Sequence, residues 1–278
     1  MTGPLESFDA DWLTLREPAD AAARSRIPAE RLSEWLADRA ADRTAGRRSV
    51  SIVDLGAGTG SAMRWLAPRL SIPQRWRLVD GDAALLDRAR DRVPLPVIGI
   101  QTTVADLRDA DMAALIGDAE VLSASALLDL VSADWIDRLV AGCIEAGAAA
   151  WLTLSVDGSD AWFPALRGDW AAGRAFARDQ ARDKGFGPSL GPDAVFHAAK
   201  RFREAGFQVM TAKSDWRLGP GAAALQQELL RGHALAAMGA DPARGRVHEV
   251  WAHRRLYEIA AGRGGVRIGH TDLLALPA

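Results

Sequence analysis

The chain has 278 residues, 49% hydrophobic and 25% charged, the composition of a globular protein long enough for one large α/β domain or a domain with an appended cap. A formal net charge of -2 offers neither a basic field for nucleic acid nor a polybasic membrane patch. The single cysteine, Cys143, excludes an intramolecular disulfide framework and suits a reducing cytoplasm; no apolar run reaches transmembrane length, and the first residues lack a basic-then-apolar signal pattern. Residues 1–48 read as a helical segment ahead of the first strand. Leu32, Trp35, Leu36 and Ala40 form an amphipathic stripe in a helix that starts near Pro28. Arg24 lies before it, either on a solvated arginine-rich helix or as a guanidinium fork for a carboxylate.

Residues 51–70 organise the rest. Ile52, Val53 and Leu55 form a short apolar run, the pattern of a strand buried on both faces. Gly56, Gly58 and Gly60 follow at alternate positions, and Met63, Trp65, Leu66 and Leu70 then fall at helical spacing. A dinucleotide fingerprint needs G-x-G-x-x-G, and a phosphate loop needs Gly-Lys-Ser/Thr; neither is present. What stands here is Asp54-Leu55-Gly56-Ala57-Gly58-Thr59-Gly60, which resembles the first motif of the class I S-adenosylmethionine-dependent methyltransferases. That cofactor has no phosphate and needs close backbone approach, which glycines allow. The resemblance implies that Asp54, Gly56, Ala57 and Gly58 border the cofactor. It also implies an N-terminal helix over the site, which would bring Arg24 to the methionine carboxylate.

The second strand, 75–79, ends at Asp80 and Gly81, about twenty residues past the glycine turn, where an acid meets a ribose in doubly wound folds. Asp82 is the better helix cap. After the third strand, 98–104, the resemblance implies that Asp106 accepts from the adenine amino group and that Leu107 packs on the base. The fourth strand runs into Ser123-Ala124-Ser125-Ala126, where carbonyls of Ser123 and Ala124 would meet the methionine ammonium. Enzymes of this class that methylate bases or glutamine side chains commonly carry Asn/Asp-Pro-Pro-Tyr/Phe there. This chain does not, which argues against a nucleic-acid substrate.

Ile136, Leu139, Val140, Cys143 and Ile144 share a helix face, which makes Cys143 a core residue. A fifth strand covers 148–155, a helix starts at Asp193, a sixth strand covers 207–213 and a final strand covers 266–277. Helices at 222–238 and 242–261 separate the last two strands. The fold expected is a Rossmann-like, doubly wound α/β sheet of seven strands with an antiparallel last strand. Residues 49–278 form the methyltransferase domain, with helical insertions at 157–192 and 219–262 covering the site. The first insertion mixes aromatic and cationic residues, so Trp162, Trp170, Arg174, Arg182 and Lys184 are the acceptor-binding candidates. Candidates for a base are Asp157, Asp183 and His270, unranked. The five histidines show no metal-ligand spacing. The expected function is methyl transfer from S-adenosylmethionine to an oxygen, nitrogen or carbon of a small molecule, with no nucleic-acid or membrane partner. The alternatives are a non-catalytic S-adenosylmethionine-binding sensor and an RNA or protein methyltransferase.

Overall fold

The computed structural model describes residues 9–41, 49–183 and 185–278. Helices α1 (Ala10–Ala23) and α2 (Arg26–Ala41) come first, with Asp9 capping α1 by accepting from the Asp11 N–H at 3.0 Å. The strands follow as β1 (Val50–Leu55), β2 (Gln74–Asp80), β3 (Val97–Val104), β4 (Val121–Ser125) and β5 (Ala149–Val156). After them come β6 (Ala161–Phe163), β7 (Gln208–Lys213), β8 (Trp216–Leu218), β9 (Gly265–Ile268) and β10 (His270–Leu276). Between these lie α3 (Ser61–Leu66), α4 (Ala83–Arg90), α5 (Met112–Ile116) and α6 (Ala133–Ala146). The later helices are α7 (Asp169–Gln180), α8 (Ala194–Glu204), α9 (Ala223–Ala240) and α10 (Gly245–Ala260).

Seven strands form one sheet in the order β3-β2-β1-β4-β5-β10-β7, with β10 antiparallel to both neighbours. This is the Rossmann-like topology that the resemblance implies. Alternate side chains along each strand feed two cores. Val53, Leu55 and Leu122 meet Trp135 and Leu139 of α6 and Phe202 of α8 on one face. Ile52, Trp76, Leu78 and Trp151 meet Leu32 and Leu36 of α2 and Trp65 of α3 on the other. Cys143 is buried on α6, and burial pushes its thiol pKa up.

The final strand is not continuous, which corrects the expectation of one strand over 266–277. It breaks at Gly269 into β9 and β10, and a Cβ at Gly269 would overlap Ser159 Oγ and the Asp157 carboxylate. β9 joins β6 and β8 in a three-stranded sheet of order β6-β9-β8. That order repeats β5-β10-β7, and each small strand adjoins the corresponding large one in the chain. The small sheet is therefore an outgrowth of the central sheet across a crease.

The two expected insertions pack on one another through Ala172, Leu230, Ala234, Trp251 and Ile259. The Asp169 carboxylate fastens them further, accepting from Trp251 Nε1 at 2.7 Å and Arg255 Nε at 3.0 Å. No helix among the described residues is long and apolar enough to cross a membrane.

Candidate active site

Where β1 ends, the chain turns through Gly56, Gly58 and Gly60, with φ of +66°, +51° and +81°. A side chain at any of them is strained, and a Cβ on Gly58 would stand 3.1 Å from Leu13 Cδ1 of α1. The turn is tied to β2 by Ala57 N–H donating to Val79 O at 3.0 Å. Asp80, at the end of β2, accepts from Gly58 N–H at 2.8 Å through Oδ2 and from Asp82 N–H at 3.0 Å through Oδ1. Above this turn lies a cavity of about 390 Å³ at the carboxyl ends of the parallel strands, the place where open α/β sheets bind ligands.

α1 forms a wall of the cavity through Leu13, Arg16 and Asp20. It is held there by specific contacts. Arg64 of α3 grips Glu17 with two bonds, 2.6 and 2.8 Å, and Trp65 Nε1 donates to Ala21 O at 2.8 Å. Asp20 takes a bidentate pair from Arg16, 2.9 and 3.0 Å, and also accepts from Trp216 Nε1 of β8 at 3.0 Å. Arg16 in turn lies over the Trp216 ring, 4.9 Å from its centroid.

Two buried ionisable groups stand by the cavity: Asp54 lines it, and Arg24, which the resemblance implied as a cofactor contact, does not line it but bonds Ser61 and Ser125, which do. Asp54 is 1% exposed; its Oδ1 accepts from Ser123 Oγ at 2.7 Å, and its Oδ2 has no partner. Arg24 is 3% exposed, and its Nη2 donates at 3.0 Å to both Ser61 Oγ and Ser125 Oγ, which line the cavity. Arg24 Nε and Nη1 are buried without partners. Burial lowers the Arg24 pKa, against the nearby charges of Asp20, Asp272 and Asp54.

Burial likewise pushes the Asp54 pKa up to about 7, outweighing the Ser123 hydroxyl and the Arg24 charge. The unfolded chain loses this proton near 3.8, so over the interval up to about 7 the folded state alone retains it. This contribution to stability is complete below 3.8 and is lost as pH rises to about 7. Asp54→Asn should remove the slope and gain on the parent by up to roughly 4 kcal/mol across that interval. Urea denaturation at a series of pH values checks this; parallel profiles for the two proteins would return Asp54 to an ordinary carboxylate.

The remaining expected cofactor positions divide. Gly56, Ala57, Gly58, Asp80, Gly81, Asp106 and Leu107 line the cavity with Asp54. The Asp106 carboxylate is held by Arg108, which donates from its backbone N–H and its guanidinium, and this keeps its pKa below the usual range. Ser123 and Ala124 lie inside β4 with no exposure and do not line the cavity. Ser125, Ala126 and Leu127 line it instead, one to three residues past Ala124.

The expected acceptor residues are not gathered at the cavity. Trp162 is on β6, edge-on to Trp251 at 6.0 Å. Trp170 is 71% exposed with Arg174 over its ring at 5.0 Å, and Arg182 pairs with Asp179. Lys184 lies outside the described residues. From the segment 157–192, Phe186 lines the cavity, edge-on to Trp135 at 6.1 Å.

None of the three candidate bases lines the cavity either. Burial raises the Asp157 pKa, but bonds from Lys213 and Ser159 outweigh it and hold the carboxyl low. Asp183 accepts from the Gly185 and Gly187 N–H groups at 2.7 and 3.0 Å, as a turn cap. His270 is 3% exposed, and burial pushes its pKa down to about 4.

Leu13, Arg16, Asp20, Ser61, Ser125 and Phe186 were absent from the sequence reading of the site. The one local signal was the i,i+4 spacing of Arg16 and Asp20, which also describes an ordinary surface pair.

No protein-family model matches the chain, and no curated protein matches it in sequence. Among solved structures, the cyclopropane synthase MmaA2 of Mycobacterium tuberculosis is similar at 12% identity and a TM-score of 0.43, over 87% of this chain and 83% of that one. A putative sarcosine dimethylglycine methyltransferase of Galdieria sulphuraria is similar at 14% identity and a TM-score of 0.39, over 88% and 85%. The magnesium protoporphyrin IX methyltransferase ChlM of Synechocystis PCC 6803, solved with bound SAH, is similar at 12% identity and a TM-score of 0.41, over 67% and 74%. At these identities and TM-scores no residue role or substrate passes from them to this chain.

Proposed function

We propose that the chain is a class I S-adenosylmethionine-dependent methyltransferase acting on a small-molecule acceptor. The observation that carries this reading is the pair of buried ionisable side chains with unpartnered atoms beside the cavity, Asp54 lining it and Arg24 bonded to Ser61 and Ser125, which line it. Arg24 has two unpartnered nitrogens and Asp54 one unpartnered oxygen, all buried, beneath a turn that excludes side chains. Burial of polar groups with unmet atoms is costly, and the ammonium of an amino-acid zwitterion in the cavity would favour the ionised form of Asp54, with its carboxylate toward Ser61 and Ser125, which Arg24 backs. Asp80 retains lone pairs on both oxygens beyond the two backbone bonds it accepts, which suits a ribose diol. Leu107, Leu127 and Phe186 supply apolar walls for a planar base.

Bound there, S-adenosylmethionine supplies a methyl group already activated on a sulfonium. The chain's own part is to orient it and, through α1 and Phe186, to keep water out. Calorimetry with S-adenosylmethionine and S-adenosylhomocysteine tests the binding, and S-adenosylhomocysteine release against a metabolite panel tests transfer. Binding without release on any acceptor would favour a sensor, and absence of binding would defeat the assignment.

Asp80→Ala should weaken S-adenosylhomocysteine binding by about 2 kcal/mol, roughly thirtyfold, the range for charged hydrogen bonds. Circular dichroism must show the fold retained. An unchanged affinity would remove Asp80 from the site.

A further inference from the structure

One face of α1 is turned to the cavity. Leu13, Arg16 and Asp20 line it, and Arg24, the C-cap, bonds Ser61 and Ser125. Spacings of three and four residues put these four side chains on one side of the helix. Leu13 stands at the glycine turn, 3.1 Å from a Cβ built on Gly58, and Arg24 reaches the end at Ser61 and Ser125. Arg16 and Asp20 face the stretch between.

Among the described residues Arg16 is the one cationic side chain that lines the cavity; every other charged residue lining it is an aspartate. Its guanidinium is fixed before any ligand arrives. Nε and Nη2 donate to Asp20 at 2.9 and 3.0 Å, and the central carbon lies 4.9 Å from the Trp216 ring centroid and 5.9 Å from that of Trp12. Nη1 is the nitrogen left over: it makes no hydrogen bond to a described residue and is not buried. A group already held by two bonds and two rings has little freedom to lose on binding, so Nη1 is a donor prepared for a ligand.

The free nitrogen and the lining together select that ligand. A guanidinium N–H bonds most strongly to an oxygen that carries negative charge. An ammonium group would be repelled by Arg16, and would have to shed a proton before it could take a methyl group. Among the described residues no histidine, lysine, tyrosine or cysteine lines the cavity, and Asp54 is assigned to the amino-acid ammonium. An oxygen acid ionises in water by itself and asks no base of the protein.

We propose that Arg16 binds the methyl acceptor, and that this acceptor is a small molecule with an acidic oxygen, a phenol or a carboxylic acid, held as its anion by Nη1. The proposal rests on the methyltransferase reading, in which the ribose lies at Asp80 and the amino-acid group at Ser61 and Ser125. Sulfur is covalently joined to both, so the methyl group belongs to the middle stretch that Arg16 faces. The acceptor gives its proton to solvent water, its oxygen bonds the methyl carbon, and the carbon–sulfur pair returns to sulfur. Both the oxyanion and the sulfonium charge vanish in this step. Arg16 therefore acts on the binding and ionisation of the acceptor, not on the barrier itself.

The test uses the full chain with S-adenosylhomocysteine, reading 4-nitrophenol by its own absorbance and benzoate and benzylamine by ligand-observed NMR. Bound 4-nitrophenol should ionise about one pH unit below the free probe, as beside any close cation. Nitrophenolate and benzoate should each bind about tenfold or more tightly than benzylamine. Arg16→Met should abolish the shift, weaken both anions about tenfold and leave S-adenosylhomocysteine affinity unchanged. Asp20→Asn lifts the neutralising charge from Arg16 yet keeps an oxygen for Trp216, so it should strengthen both anions; mere disturbance of α1 would weaken them in either variant. Each variant decides the matter if the other does not fold. A response to one anion only upholds the site and names its oxygen. Neither anion binding better than benzylamine, a bound nitrophenol that titrates as the free one does, anion affinity unchanged in Arg16→Met, or anion affinity lowered in Asp20→Asn would each overturn it. If S-adenosylhomocysteine fails to bind while an anion binds in an Arg16-dependent way, the methyltransferase reading falls and the anion site stands. If S-adenosylhomocysteine binds and neither anion does, the reverse holds.

Discussion

Asp272→Ala should cost the folded protein about 4 kcal/mol, a large part of the stability of an ordinary domain. The side chain has no exposure, and its carboxylate accepts from Ser25 N–H at 2.8 Å, Leu154 N–H at 2.8 Å and Ser214 Oγ at 2.6 Å. Those donors come from the α1–α2 junction, from β5 and from the β7–β8 connection. Leu154 stands at φ +56°, and the pairing of β10 with β5 shifts register between Thr271 and Leu273, so the bulge leaves the Leu154 N–H turned toward this carboxylate. Alanine would leave two backbone donors buried and unmet; the Ser214 hydroxyl can rotate away. Burial raises the Asp272 pKa against these bonds and the Arg24 charge, so the site tolerates a neutral acceptor. Asp272→Asn should therefore lose about half as much, keeping an oxygen for Leu154 but turning an amide toward Ser25. Urea midpoints at constant m-value measure both. An alanine variant within about 1 kcal/mol of the parent would mean that water reaches these donors.

Gly58→Val should abolish binding of S-adenosylhomocysteine while leaving the sheet folded. Gly58 sits at φ +51°, where a β-branched residue is strained, and its added side chain would press on Leu13. The strain is on the order of 1–3 kcal/mol, which the domain can absorb. The binding loss is larger, because the new atoms stand at the cavity lining and disturb the Gly58 N–H bond to Asp80. A drop of more than about a hundredfold in affinity by calorimetry is expected, near 3 kcal/mol. If the variant is folded and binds as the parent does, the turn is only a connection and the assignment loses its cofactor.

The central sheet and its glycine turn were legible in the sequence because both leave local marks. Parallel strands buried on two faces read as unbroken apolar runs, and the turn must place glycine where φ is positive. The last strand was misjudged because a lone glycine between Ile268 and His270 is a weak break signal, and only the contact with Asp157 and Ser159 shows why the chain breaks there. β6 and β8, three residues each, are too short to show a period. The aromatic and cationic residues of 157–192 suggested ligand contacts, yet Arg255 over Trp162 and Arg174 over Trp170 show that a protein can satisfy such pairs internally. Composition does not separate the two cases. A covering N-terminal helix was implied by the resemblance, but its lining residues Leu13, Arg16 and Asp20 were not legible, since the Asp20 partner Trp216 stands 196 residues further along.

The doubling of the strand order across the crease has a mechanical meaning. The small sheet is attached at three places, through residues 157–160, through Ser214 and Asp215, and through Gly269 alone. A flap on one connection can swing, but a plate carried on three short struts can move only if all three flex together. The strut at Gly269 has just two soft dihedrals and is wedged against Asp157 and Ser159. Such a part behaves as a fixed cornice, and amide exchange in β9 should be as slow as in β10. The small sheet backs α1 without lining the cavity, so whatever opening the cavity needs must come from α1 itself, held by side-chain contacts that can be broken one at a time.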